Sequence, residues 1–333
     1  MLSLHASTTT HRRALLALAT ATLLTLGLAT SVWAQTYPTQ PLRIVVPFGP
    51  GGVGDLTARA VAQALAEPLG QPVTVENRPG AGGVVAAEAV ARAAPDGHTL
   101  FLMSNGSAVT ASLFNRLPFD MVRDFIPVST LGYFDIAVVT SSESTFKTLG
   151  DVVAYARANP GQLNLGSINI GSTQHLTAEL FKSAAGIQAQ VVPFNGTPAL
   201  IGALRGRQVE VGVEILGPAL PQIRAGALRA LAVTGERRSV VLPEVPTAIE
   251  GGVPALVASS WNALAVPAKT PREVVMRLNK AIEGVLAAPE LRKKLLELNI
   301  DPRASTPEQT AELLASDIRR WSTVIERAGI PKQ

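Results

Sequence analysis

Residues 43–55 read Arg43-Ile44-Val45-Val46-Pro47-Phe48-Gly49-Pro50-Gly51-Gly52-Val53-Gly54-Asp55. Ile44, Val45, Val46 and Phe48 have strong strand character, and they run into a turn crowded with glycine and proline. Asp55 is expected to cap a helix over 56–69. A strand, a glycine turn and a helix N-terminus together offer unpaired backbone N–H groups to an anion. Glycine also lets a ligand approach the backbone closely. A plain strand-to-helix turn with no ligand has the same local pattern, so this stretch alone fixes an α/β fold and only suggests a site.

Outward from it, strands and helices alternate. Strands are expected at 73–77 and 99–104, with an alanine-rich helix at 84–94 between them. Residues 105–124 are less regular, and 126–131 and 136–140 read as two halves of one extended run. A second alternating set follows: helix 149–158 stopped by Asn159-Pro160-Gly161, strand 163–167, helix 174–185, strand 190–193, helix 198–205, strand 209–215, helix 218–225 and strand 228–233. Pro243, Pro246 and Pro254 mark a loop-rich return to a strand at 261–266. Three helices, 271–286, 289–298 and 307–327, close the chain, each with proline at or near its start. Helices between strands imply parallel crossovers. The pattern suits two lobes joined by more than one strand, with the last helices returning to the first.

The chain has 333 residues, 47% hydrophobic and 16% charged, ample for a core and for about two domains. With no cysteine there is no disulfide framework and no thiolate chemistry. Arg12 and Arg13 precede an uncharged run over 14–33 that ends in Val32-Trp33-Ala34, which reads as a secretory leader cut after Ala34. An uncleaved anchor is the alternative, and ordinary secretion fits the flanking residues better than twin-arginine export. Setting those two arginines aside leaves 27 basic against 25 acidic residues, which gives no reason to invoke nucleic acid.

Gly49-Pro50-Gly51-Gly52-Val53-Gly54 satisfies the dinucleotide pattern G-x-G-x-x-G, with Glu76 lying 22 residues beyond Gly54. Pro50 removes a donor, however, and Asp55 would set a carboxylate beside a diphosphate. An exported chain also lacks the cytosolic nicotinamide pool. A second anion-type turn, Ile168 to Leu176, carries Gly171, Ser172, Thr173 and His175, where simple capping by Ser172 or Thr173 is the competing reading. Ser104, Asn105 and Ser107 follow the third strand, and Asn195, Gly196 and Thr197 follow another, as further polar contacts or as plain turns. There is no G-x-S-x-G and no H-E-x-x-H, so hydrolase signatures are lacking. His175 is read as facing the cleft or the core, and no catalytic residue, metal ligand or cofactor is assigned. Glu214 ends a strand and is expected to emerge at the cleft rim, where it either meets a donor group on the ligand or turns toward the loop near Asn195.

These motifs together resemble the Bug-type periplasmic receptors of tripartite tricarboxylate transporters. The resemblance covers nearly the whole mature chain. It rests on Pro47 to Gly52 with Asp55 and Ala58-Arg59, on Val75-Glu76-Asn77-Arg78-Pro79-Gly80-Ala81-Gly82-Gly83, and on Pro95-Asp96-Gly97-His98-Thr99-Leu100. It continues through Leu117-Pro118-Phe119-Asp120, Asp124 to Val128, Gly171-Ser172 with His175-Leu176, Leu228 to Thr234 and Pro243-Glu244-Val245-Pro246-Thr247. It implies a two-lobed α/β fold of the type II periplasmic class, each lobe a mainly parallel sheet flanked by helices. Lobe 1 would comprise 35–134 and 233–333, and lobe 2 would comprise 135–232. It further implies a non-enzymatic, monomeric receptor that closes on a small organic carboxylate and delivers it to membrane permease subunits. Phe48, Gly51, Gly52 and Asp55 in one loop, and Gly171 to His175 in the other, would hold the ligand. Two departures bear on the pocket: Glu210 and Glu214 stand where the family usually has aspartates, and Pro198 comes one position early. An exported α/β enzyme using the first glycine loop, and a receptor-like signalling partner without transport, are the alternative readings.

Overall fold

The computed structural model describes residues 37–327 and 329–333; the leader and its cut after Ala34 lie outside them. Strand β1 (Leu42–Val46) pairs in parallel with β2 (Val73–Asn77) and β3 (Thr99–Ser104). These short apolar strands are separated by α1 (Val53–Leu69) and α2 (Val84–Ala91), the crossovers that parallel pairing needs. Ile44, Val46 and Leu102 are fully buried beneath them. Helix α3 (Asn105–Leu113) follows β3 directly.

The long strand β4 (Phe125–Ser141) changes partner along its length. Its first part runs antiparallel to β9 (Ser259–Pro267) as far as Asp135. From Ile136 onward it lies between β7 (Val211–Ile215) and β8 (Leu228–Val233). β7 continues in parallel to β5 (Leu163–Ile168), which pairs with β6 (Ala189–Phe194). Helices α4 (Leu149–Ala158), α5 (Thr173–Ala185), α6 (Thr197–Arg205) and α7 (Leu216–Arg224) supply the connections. A second core gathers there around Ala137, Val139, Leu200, Leu204, Leu220 and Val233. The chain then returns through β9 to α8 (Arg272–Ala287), α9 (Pro289–Glu297), the two-residue strand β10 (Ile300–Asp301) and α10 (Pro307–Arg327). α8 packs on α1 and β4, and α10 packs on α3, so the closing helices do return to the first sheet.

Three expectations change. The sheets are mixed rather than mainly parallel, because β4 and β9 double back and pair antiparallel with their neighbours. α1 begins at Val53 with Gly52 at its cap, so Asp55 sits inside the first turn, where a carboxylate is favoured by the helix dipole. Asn105-Gly106-Ser107, read either as polar contacts after β3 or as a plain turn and set in a less regular segment, opens α3. Tertiary contacts override its weak propensity: the Ser104 N–H donates to Ser107 Oγ at 3.1 Å, and the helix packs on α10.

Candidate functional site

The C-terminal ends of β1, β3, β5 and β6 lead into the starts of α1, α3, α5 and α6, and these four helix starts surround one cleft. A narrow cavity lies there, lined by Phe48, Gly49, Gly52, Val53, Gly54, Ser104, Phe134, Ile168, Thr173, Gln174, Gly196, Thr197, Ile215, Ser260 and Asn262. A second adjoins it and shares Phe48 and Ser104; Gly82, Ser107, Asn169, Gly171 and Ser172 are among its walls. Among the lining residues of both there is no lysine, arginine, aspartate, glutamate or histidine. The positive potential comes instead from the helix starts, each equivalent to about half an elementary charge. The first-turn N–H groups have no partner within their own helix. Such a cleft is suited to an anion without any cationic side chain.

The turn at Gly80–Gly83 meets the turn before α5, and Gly52 approaches the start of α6. The Gly82 N–H donates to Ile170 C=O at 2.8 Å, and Thr110 Oγ1 donates to Gly82 C=O at 2.7 Å. A Cβ on Gly171 would stand 2.7 Å from Gly82 Cα, and one on Gly52 would stand 3.3 Å from Thr197 Oγ1. Thr173 Oγ1 donates to Asn105 Oδ1 at 3.1 Å, tying α5 to α3.

The residues singled out from the sequence divide by place. Phe48, Gly52, Ser104, Ser107, Gly171, Ser172, Thr173, Gly196 and Thr197 line the cavities. Gly51 is not among the lining residues; its φ of 82° favours glycine there. Ser172 Oγ accepts from the His175 N–H at 3.0 Å, so it caps α5 while facing the second cavity. Asp55 is buried away from the lining and pins the first turn. Its Oδ2 accepts from the Gly51 N–H at 3.0 Å, and its Oδ1 accepts from Arg59 and Asn77 at 2.9 Å each. Burial alone would raise its pKa, but the hydrogen bonds from Arg59, Gly51 and Asn77, together with the Arg59 charge, hold it below the ordinary range. Asn105 is likewise a hub. It accepts from Trp321 Nε1 at 2.9 Å and donates to Asp317, which also accepts from Trp261 Nε1 at 2.7 Å. Asn195 is exposed outside the lining, and the His175 ring is buried off it, where desolvation lowers its pKa and keeps it neutral.

Glu214 does not emerge at the rim. It is fully buried, because β7 is a central strand held between β4 and β5. Its Oε1 accepts from Gln174 Nε2 at 2.8 Å and from the Ile215 N–H at 2.7 Å. Burial raises its pKa, partly offset by the hydrogen bonds from Gln174, Ile215 and Thr197. Glu210 lies at the opposite end of β7 from the cleft, where Oε2 accepts from the Asn164 N–H at 2.9 Å. Sequence reasoning missed Gln174, Ser260 and Asn262. The last two are buried at 3% and 1% in β9, and the signal that could have found them is polar residues set against the apolar run Ala263–Val266.

The family model for the tripartite tricarboxylate transporter family receptor (TctC) matches residues 57–330. The chain belongs to this receptor family. The protein BugT of Bordetella pertussis is 37% identical over 307 residues, 92% of this chain and 94% of BugT. Among solved structures, R. palustris Rpa4515 with adipate superposes with a TM-score of 0.85 at 32% identity, covering 89% of this chain and 99% of that one. MatC (Rpa3494) from Rhodopseudomonas palustris with bound malate gives 0.81 at 32% identity, covering 87% and 100%. The fold is therefore that of the periplasmic binding proteins, and the family and its neighbours are binding proteins. The acidic residue that imitates a dinucleotide fingerprint, Glu76, is bonded to Arg43 and Arg78.

Proposed function

We propose that this chain is an extracytoplasmic receptor that captures a small organic carboxylate between its two sheets and passes it to a tripartite tricarboxylate-type permease. The observation that carries this is the convergence of four helix N-termini on a cleft lined only by neutral residues. The adipate and malate held by two relatives support a carboxylate as the occupant. The two halves, 35–134 with 233–333 and 135–232, act as lobes. They are hinged where β4 passes from one sheet to the other at Asp135–Ile136 and where the chain returns after Val233. Closure on ligand is a hinge motion of the kind such two-lobed proteins use. Phe48, Gly52, Ser104, Thr173 and Thr197 contact the ligand, while Asp55, Asn105 and Glu214 position those that do. No step of chemistry is required of them. The leader directs the chain to the periplasm, where it works as a monomer.

The test is a thermal-shift and calorimetric screen of mono-, di- and tricarboxylates. An occupant at 100 times its dissociation constant adds about 2.7 kcal/mol of stability. At least one acid is expected to raise the melting temperature and to titrate at one per chain. A flat response across the whole panel overturns the reading.

A further inference from the structure

The cleft offers donors from its helix starts, yet two of its side chains present acceptors. Gln174 Nε2 donates to Glu214 Oε1, which also accepts the Ile215 N–H and so acts as an acceptor whichever way Glu214 is protonated at Oε2. The Gln174 amide nitrogen is thereby fixed toward Glu214, and its carbonyl end is left for the cleft. Asn262 repeats the device from the other half. Thr57 Oγ1 donates its single proton to Val53 C=O at 2.7 Å, so toward Asn262 Nδ2, at 3.2 Å, it acts as an acceptor. That fixes the Asn262 nitrogen toward Thr57 and leaves its carbonyl free. Gln174 and Asn262 both line the main cavity, and neither amide oxygen has a hydrogen-bond partner among the described residues.

We infer that the cleft selects carboxylates that also carry a hydrogen-bond donor, a hydroxyl or an amino group, which satisfies the amide carbonyls of Gln174 and Asn262. This rests on the carboxylate-receptor reading above. A bare acid leaves these oxygens desolvated and unpaired, and placing its own carboxylate beside them is repulsive. Sites built around such polar groups reject analogues that lack the partner far more strongly than apolar pockets reject a missing methylene. Glu214 and Thr57 are positioning residues here: they hold the two amides in one orientation and do not touch the ligand.

Calorimetry with matched pairs tests this on the mature protein: succinate against malate and aspartate, glutarate against 2-hydroxyglutarate and glutamate, propionate against lactate. The donor-bearing member of the best-fitting pair is expected to bind at least about tenfold tighter than the bare acid. In Gln174→Met and in Asn262→Leu the ratio should fall to within about threefold, as the donor-bearing acid loses its acceptor and the bare acid is relieved of an unpaired carbonyl. Glu214→Leu, which removes the acceptor, frees the Gln174 amide to turn and should also lower the ratio, whereas Glu214→Gln keeps a carbonyl at that place and should leave it intact. Acids that bind without preference overturn this inference alone, as does a ratio that survives in Gln174→Met, Asn262→Leu and Glu214→Leu. If no acid binds at all, the carboxylate reading falls and this inference falls with it.

Discussion

Gly171→Ala tests whether the cleft works by closure. Gly171 belongs to the turn before α5 and has φ 83°, a conformation that costs an alanine about 1–2 kcal/mol wherever the lobes stand. Its Cβ would also lie 2.7 Å from Gly82 Cα on the facing turn. Gly82 cannot retreat, since Phe114 Cε2 and Thr110 Oγ1 already occupy the space where its own Cβ would go, at 2.7 and 2.9 Å. On the two-lobe reading proposed above, the second cost arises only when the lobes are shut. Overpacking of this kind costs about 1–3 kcal/mol, and a penalty confined to the closed state weakens ligand by about 5–150-fold. Gly161→Ala is the control: it has φ 75° with nothing within 4 Å, so it carries the backbone strain without the clash. Both variants should melt below the parent, but only Gly171→Ala should bind a carboxylate more weakly by calorimetry. Unchanged affinity in Gly171→Ala, or an equal loss in Gly161→Ala, would refute the reasoning.

Glu214→Gln should raise stability at neutral pH and not in acid. The folded carboxyl keeps its proton to higher pH than an unfolded glutamate at about 4.3, so the parent loses stability as pH rises from there through the folded value and is flat beyond it. A melting-temperature difference that is the same at pH 4 and pH 8 would count against this. Asp317→Ala strands the Trp261 N–H and the Asn105 amide in the interior and should cost about 3–5 kcal/mol in urea unfolding; a loss under 1 kcal/mol would mean the hub is dispensable. The mature chain is expected to be recovered from the periplasm beginning near Gln35, and an intact mass retaining residues 1–34 would exclude that cut.

Much of the fold was legible because its strands are short apolar runs bounded by glycine and proline. Val73–Asn77, Thr99–Ser104 and Leu228–Val233 fall where their residues indicate. The strand pairing was less so: nothing local to Trp261–Val266 says that it will lie antiparallel to both β3 and β4. The site divides in the same way. The turns at Gly49–Gly54 and Gly171–Thr173 announce themselves by composition, whereas Asn262 reaches the cleft from a strand 205 residues beyond the Thr57 that orients it. Glu214 was misplaced for a physical reason. A carboxylate at a strand end is normally solvated, but β7 is covered on both sides by neighbouring strands, and Gln174 and Ile215 supply the donors that burial demands.

The absence of charge from the lining also explains why composition says so little about the ligand. A net charge of +4 and scattered arginines neither create nor mark the cleft. Its attraction for an anion arises only when four helix starts, separated by long stretches of chain, are folded onto one space. No single substitution of a charged residue should therefore abolish binding, unlike a site built on an arginine clamp. Selectivity is carried separately, by the amides whose orientation Glu214 and Thr57 fix. Affinity tied to backbone and selectivity tied to a few side chains lets the ligand change while the fold stays constant. That division fits two relatives of similar fold that hold acids as different as adipate and malate.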